Sequence, residues 1–392
     1  MPQLTAYRNI PRTVWCLGCV SLFADINSKM IQSTLPLFLV TGLGANLATV
    51  GLIEGIAEST ASVLKVFSGA LSDYWRRRKE LAVIGYGFST LVTPIFAVAT
   101  TPGWVFVGRV ADRLGKGIRV APRNALVADA TPSQYRGAAY GLRQSLDTIG
   151  AFLGPLLATG LLWASQQNFR LVFWLAFIPG MLAVLLLLIG VRESTKPVLL
   201  PQNPLQWSVL KSLGCNYWVL NLAALLFNLG NFSDAFLLLR AQESGIVPAL
   251  VPLSFVVINL AYGSSAYPLG TLSDRIGRLE LLLTSFLIFA LVSLGFGFAQ
   301  SAWQIWALFV GYGLYLGMSQ GVLLAIVADQ VSAAFRGTAF GLINLTVGIA
   351  LLPASLLAGW LWQQIGPTAP FLVSSGFALL AMLLLGVAFR HR

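Results

Sequence analysis

The chain has 392 residues, of which 57% are apolar and only 10% are charged, with a formal net charge of +11 at pH 7. Soluble domains carry about 25% charged residues, so this composition excludes a water-soluble globular protein. The apolar stretches are continuous rather than alternating, which also excludes a transmembrane β-barrel.

Apolar runs long enough to cross a bilayer as helices, about 20 residues each, fall at 14–40, 47–71, 80–99, 104–127, 138–163, 170–190, 217–240, 248–272, 279–299, 303–327, 337–360 and 368–389. They predict an all-α membrane protein of twelve spans. The longest connection, 191–216, holds three prolines and divides the chain into a six-helix bundle over 1–190 and a second over 217–392. No leader with a cleavage site precedes the first span, so that span is expected to stay as an uncleaved helix.

The first span carries Cys16 and Cys19, which read as packing residues in the absence of a nearby histidine. Further along it, Asp25, Lys29 and Gln32 share one helical face. The second span places Glu54, Glu58 and Lys65 together. The fourth is the most charged, with Arg109, Asp112, Arg113, Lys116, Arg119 and Arg123 inside an arc of about 120° at 100° per residue. Arg143 and Asp147 form an i, i+4 pair in the fifth. A rise of about 1.5 Å per residue puts Asp25, Glu58, Arg113 and Asp147 near mid-bilayer, while Arg119 and Arg123 approach the cytoplasmic surface beside Pro122. The second half is thinner in charge: Asn221, Asn228, Asn231 and Asp234 in the seventh span, Asn259 and Tyr262 in the eighth.

Lysines and arginines outside the spans are distributed unevenly. Fifteen fall on the side that carries both termini, and two, Arg170 and Arg240, fall on the other. The positive-inside rule then places both termini in the cytoplasm, which accounts for the basic excess without nucleic acid. The remaining eight lie within the spans, all in the first half: Lys29, Lys65, Arg109, Arg113, Lys116, Arg119, Arg123 and Arg143. Each costs at least about 2.5–3.5 kcal/mol in the bilayer on the insertion scale. They meet five acids, Asp25, Glu54, Glu58, Asp112 and Asp147. Structural salt bridges explain part of this set; the cationic surplus points to an anionic or carboxylate-bearing solute.

The halves repeat. Gly69-Ala-Leu-Ser-Asp73 before a basic turn recurs as Gly270-Thr-Leu-Ser-Asp274, and Asp129 to Arg136 recurs as Asp329 to Arg336. The charged fourth-span positions become Phe309, Tyr312, Gly313, Leu316, Ser319 and Leu323 in the second copy, so the fold alone does not demand charge there. These loop charges are read as a cytoplasmic lock: Asp73, Arg77, Asp129 and Arg136 with Asp274, Arg278, Asp329 and Arg336.

At these residues the chain resembles the major facilitator superfamily over its whole length. The 69–79 segment resembles that family's loop signature, with Tyr74 and Arg76 as departures, and the second-half copy is cleaner. Gly150-x3-Gly154-Pro155 resembles its antiporter motif, with Ala158-Thr159 in place of a glycine pair. The resemblance implies two pseudo-symmetric six-helix bundles, a midplane solute site between the halves, alternating access, and export in preference to uptake.

No G-x-x-x-x-G-K-S/T segment is present, so the expected energy source is a proton gradient. Asp25 is the first candidate for the coupling acid, followed by Glu54, Glu58 and Asp147; Arg109, Asp112, Arg113, Lys116 and Asp234 complete the candidate solute-binding set. The expected partners are a small solute, protons and the lipid of a cytoplasmic membrane, for a monomer with no cofactor, no metal and no enzymatic activity. Uptake, uniport, a non-transporting sensor and a membrane-embedded enzyme are the alternatives.

Overall fold

The computed structural model describes residues 11–75, 77–132, 135–191, 213–331 and 336–389, without the side chains of 66, 69–75, 274 and 336–338. The central connection expected at 191–216 lies mostly outside the described residues, as do the side chains of Asp73, Asp274 and Arg336. Every regular element among the described residues is helical.

In the first half, α1 (Arg12–Leu37) ends in a π-helical turn, Phe38–Gly42. It is followed by α2 (Leu47–Trp75), α3 (Arg78–Val98), α4 (Pro102–Ala130), α5 (Arg136–Ala164) and α6 (Phe169–Gly190). In the second half come α7 (Cys215–Gly230), α8 (Ala235–Glu243), α9 (Leu253–Ile276), α10 (Arg278–Phe298), α11 (Ala302–Gln330), α12 (Arg336–Gln364) and α13 (Thr368–Phe389). Ten described segments are long and apolar enough to cross a membrane, α7 and α8 counting together. The two helices outside that set are α4, because of its charges, and α9, whose middle reads Asn259-Leu-Ala-Tyr262-Gly-Ser-Ser.

Local chemistry sets the helix ends. Pro102 opens α4, where a missing N–H costs nothing. Asn168 caps α6 by accepting from the Leu171 N–H at 3.1 Å. Ser301 and Gln304 form a capping box on α11. Gly277, at φ +106°, makes the tight link from α9 to α10.

The seventh span differs from the continuous helix expected at 217–240. It breaks after Gly230, and α8 restarts at Ala235. Gly-Asn and Ser-Asp are turn formers, and side chains satisfy the interrupted backbone: Ser233 N–H donates to Ser355 Oγ at 3.2 Å and Ala235 N–H to Ser233 Oγ at 3.3 Å. The eighth span, α9, starts at Leu253, not 248, because Pro248 and Pro252 hold the preceding residues in turns.

The helices pack into two compact units, Met1–Leu39 with Val63–Pro201, and Val40–Ser62 with Gln202–Arg392. The helix α2 contributes to both. In the first unit small residues let backbones touch. A Cβ on Gly85 of α3 would lie 2.8 Å from the Gly115 carbonyl oxygen of α4, and one on Gly115 would lie 2.6 Å from that of Gly85. Gly150 and Gly154 of α5 meet α1 in the same way, at the Leu22 and Ile26 carbonyls. In the second unit the N-terminal part of α2 lies along α12, with Gly51 against the Ser355 carbonyl and Ser59 Oγ donating to Gly348 O at 2.7 Å.

Candidate functional site

In the first unit, packing turns the charged stripe of α4 inward. Arg109 and Arg113 are each 1% exposed, Asp112 6% and Arg119 5%. Asp112 lies between its two helical neighbours, with Oδ2 3.8 Å from Arg109 Nη1 and 3.5 Å from Arg113 Nε. Its backbone carbonyl accepts from Ser89 Oγ at 3.0 Å, across the glycine crossing of α3 and α4. The same crossing seats Arg119 over the ring of Tyr86, 4.4 Å from guanidinium carbon to ring centroid.

A second layer gathers α1, α3, α4 and α5. Asp147 Oδ1 stands 3.7 Å from Arg123 Nη1 and 3.7 Å from Arg143 Nη1. Arg123 Nη1 also donates to Ser21 Oγ at 3.2 Å and, weakly, to the Tyr86 hydroxyl at 3.5 Å. Arg143 Nη2 donates to Gln144 Oε1 at 2.7 Å. The expected Arg143–Asp147 pair is present. Arg123, read from the sequence as approaching the surface, instead joins it with a side chain 11% exposed. Tyr86 and Ser21 were not candidates from the sequence; as isolated polar residues on apolar spans they carry no distinguishing pattern.

The other first-half candidates are spread more widely. Lys29 Nζ donates to Gln32 Oε1 at 2.9 Å on α1, where Asp25 is half-buried. Lys116 is half-buried on α4. Glu54, 3% exposed, and the half-buried Glu58 lie on the part of α2 that packs in the second unit.

In the second unit, Asp234 sits at the break and accepts from the Tyr312 hydroxyl at 3.2 Å. Beside the break is a cavity of about 10 Å³, lined by Asn231, Phe232, Phe289, Ser293, Tyr312 and Phe371. That is room for one water molecule. Arg240 has a structural place, donating to the Phe296, Gly297 and Ala299 carbonyls that end α10. Arg170 does the same for the Ala99 carbonyl that follows α3. Each of these two arginines thus answers the negative end of a helix.

Of the lock residues, Asp129 accepts from Arg78, and Asp329 from Arg278 at 2.5 Å. The two pairs repeat at an offset of 200, each within its own unit. Arg77 turns to Glu80 instead, at 3.2 Å, and Arg136 is exposed. The first-half counterpart of Arg278 is therefore Arg78. Gly150 and Gly154, the expected antiporter motif, are accounted for by the contact of α5 with α1. Cys16 packs against Gly190, and no metal-binding group occurs among the described residues.

Comparison with known proteins agrees with this architecture. The sequence profile of the Major Facilitator Superfamily matches residues 17–240 and 235–392. An uncharacterized MFS-type transporter of Methanocaldococcus jannaschii is 33% identical over 96% of this chain and 95% of its own. The multidrug resistance protein MdtG of Citrobacter koseri is 27% identical over 94% and 92%. Among solved structures, a variant of the nucleoside transporter NupG superposes with a TM-score of 0.80 at 15% identity, over 96% of this chain and all of that one; at that identity the likeness is one of fold. Twelve spans, a six-plus-six repeat with paired loop charges, and these matches together place the chain in the Major Facilitator Superfamily.

Proposed function

We infer that the protein is a secondary active transporter that moves a small polar, anion-bearing organic compound by alternating access, driven by a proton gradient. The observation that carries this reading is the buried stripe of α4, with Arg109, Arg113 and Arg119 each no more than 5% exposed. Buried guanidinium groups are costly in a bilayer, and the second copy of the helix does without them. A hydrophilic anion handled at this place is a reason to keep them. In this reading Arg109, Asp112, Arg113, Lys116, Arg143 and Asp147 belong to the solute and proton path with Asp25 and Lys29; Glu54, Glu58 and Asp234 are further candidate acids. The protein works as a monomer in a cytoplasmic membrane with both termini inside, and Arg78–Asp129 and Arg278–Asp329 brace the cytoplasmic loops of the lock.

Export is supported by the relatives called multidrug resistance proteins. Proton-coupled uptake is the second reading. The test is a thermal-shift ligand screen on purified protein, followed by flux of the best hit into proteoliposomes with and without an imposed pH gradient. Flux that follows the gradient supports proton coupling. Equal flux without the gradient makes the protein a uniporter, and saturable binding with no flux makes it a sensor.

A further inference from the structure

The end of α6 is flanked by two cations that the solute path does not use. Lys79 of α3 donates from Nζ to Leu188 O at 2.7 Å. Gly190, about 200° further round α6 at about 100° per residue, packs against Cys16 of α1. Arg12 opens α1 one turn before Cys16, on the same face, and is exposed. Between the two flanks Ile189 is 82% exposed. The nearby acids are already answered, Glu80 by Arg77 and Asp129 by Arg78.

Below Lys79 the seam between α3 and α6 is apolar and open. Thr90 of α3 touches Gly180 of α6, and Lys79 lies about 20° from Thr90 around the helix, on the side that meets α6. Ile84, Phe88 and Leu91 form an exposed stripe on α3, and Ile178, Leu182 and Leu185 another on α6. Gly87 falls between the stripe of α3 and its contact side, and a Cβ there would meet nothing within 4 Å. The seam thus has a hollow along its length and a cation at its mouth.

The second copy is an internal control. At an offset of 200, Lys79 and Gly87 become Leu279 and Leu287, and α7 opens on Cys215 where α1 opens on Arg12. The side chain of Leu287 stands exposed where the first copy is hollow. A charge bias that only set topology would fall on both halves alike. Here the two cations and the hollow occur together in one half.

We propose that this seam binds one anionic phospholipid from the leaflet on the side of the loop charges. Its phosphate is held by Lys79 and Arg12 over the end of α6, and an acyl chain lies over Gly87. Basic sites between helices suit such headgroups, and an ammonium group has three donors, so Lys79 can hold the Leu188 carbonyl and a phosphate together. A choline headgroup would bring a further cation beside these two and is disfavoured. The bound lipid ties together the ends of α1, α3 and α6, whichever solute the protein carries.

The experiment uses the purified full chain, stripped of lipid in detergent, with phosphatidylglycerol, cardiolipin, phosphatidylcholine and inorganic phosphate as probes. Melting temperature is followed as each is titrated, and retained lipid is counted by native mass spectrometry. Stabilisation that saturates with one bound phosphatidylglycerol or cardiolipin is expected, with a weaker response to phosphatidylcholine and none to inorganic phosphate. Lys79→Gln and Arg12→Gln should each weaken the apparent affinity about fivefold, as for one cation at a charged membrane surface. Gly87→Leu, which installs the residue of the second copy, should weaken it with no change of charge, and Arg77→Gln should leave it unaltered. Each variant is compared with itself without lipid, so a loss of intrinsic stability does not mask the result. No stabilisation by either anionic lipid, an equal response to phosphatidylcholine or inorganic phosphate, or a response undiminished in any of Lys79→Gln, Arg12→Gln and Gly87→Leu would overturn the assignment. A loss in Arg77→Gln as large as in Lys79→Gln would do so too, by showing an unspecific charge effect.

Discussion

The hydroxyl of Tyr312 donates to the carboxylate of Asp234 at 3.2 Å, tying the middle of α11 to the first residue before α8. Tyr312 is 7% exposed and its ring packs against Phe289 and Tyr315. Tyr312→Phe keeps that packing and removes one hydrogen bond to a charged group, worth about 1.5–3 kcal/mol. A lower melting temperature with faster hydrogen exchange confined to residues 230–238 is expected. Unchanged exchange in that segment would show that the Tyr312 hydroxyl does not hold the break.

Gly85 and Gly87 make a matched pair for testing the α3–α4 crossing. A Cβ at Gly85 meets Arg119 Cβ at 2.7 Å and the Gly115 carbonyl at 2.8 Å, whereas one at Gly87 meets nothing within 4 Å. Gly85→Ala should cost about 1–3 kcal/mol through overpacking. Gly87→Ala should gain about 0.5–1 kcal/mol through reduced backbone entropy. Opposite shifts in thermal stability are the expected outcome; equal shifts would mean that the helices separate without penalty.

The repeated loop pairs differ in burial, which orders their contributions. The side chains of Arg78 and Asp129 are 10% and 29% exposed, those of Arg278 and Asp329 37% and 56%. Arg78→Gln should therefore destabilise the protein more than Arg278→Gln, whose effect falls in the range of about 0–1 kcal/mol for exposed pairs. Arg77→Gln, with its partner Glu80 more than half exposed, is the control and should be silent. A reversal of this order in unfolding measurements would show that burial does not govern these pairs.

The spans and the inward stripe of α4 were legible in the sequence because bilayer physics leaves strong marks: apolar runs of fixed length, and charges collected on one face. Finer features depend on quantities a single chain does not display. Three consecutive arginines, at 76–78, run into α3, and which of them meets Asp129 follows from the helix starting at Arg78, a matter of one residue. Arg123 looked like a surface residue because it follows Pro122, yet α4 continues to Ala130 and keeps it within reach of Asp147. The break at 230–234 was concealed by apolar residues on both sides of a short polar turn, so the asparagines and Asp234 read as polar positions within one unbroken span. Gly150 and Gly154 were visible as a motif, but the same spacing serves helix contact and recognition alike.

Those two glycines also limit how the fifth helix is able to move. With its backbone seated on the Leu22 and Ile26 carbonyls, α5 has no room to roll against α1, since any roll swings a bulkier side chain into the seam. Arg143 and Asp147, carried on the same rod, are held in azimuth relative to Ser21. Any rearrangement of this layer must move α1 and α5 as one stiff blade, by tilting or translating them together rather than by twisting one on the other.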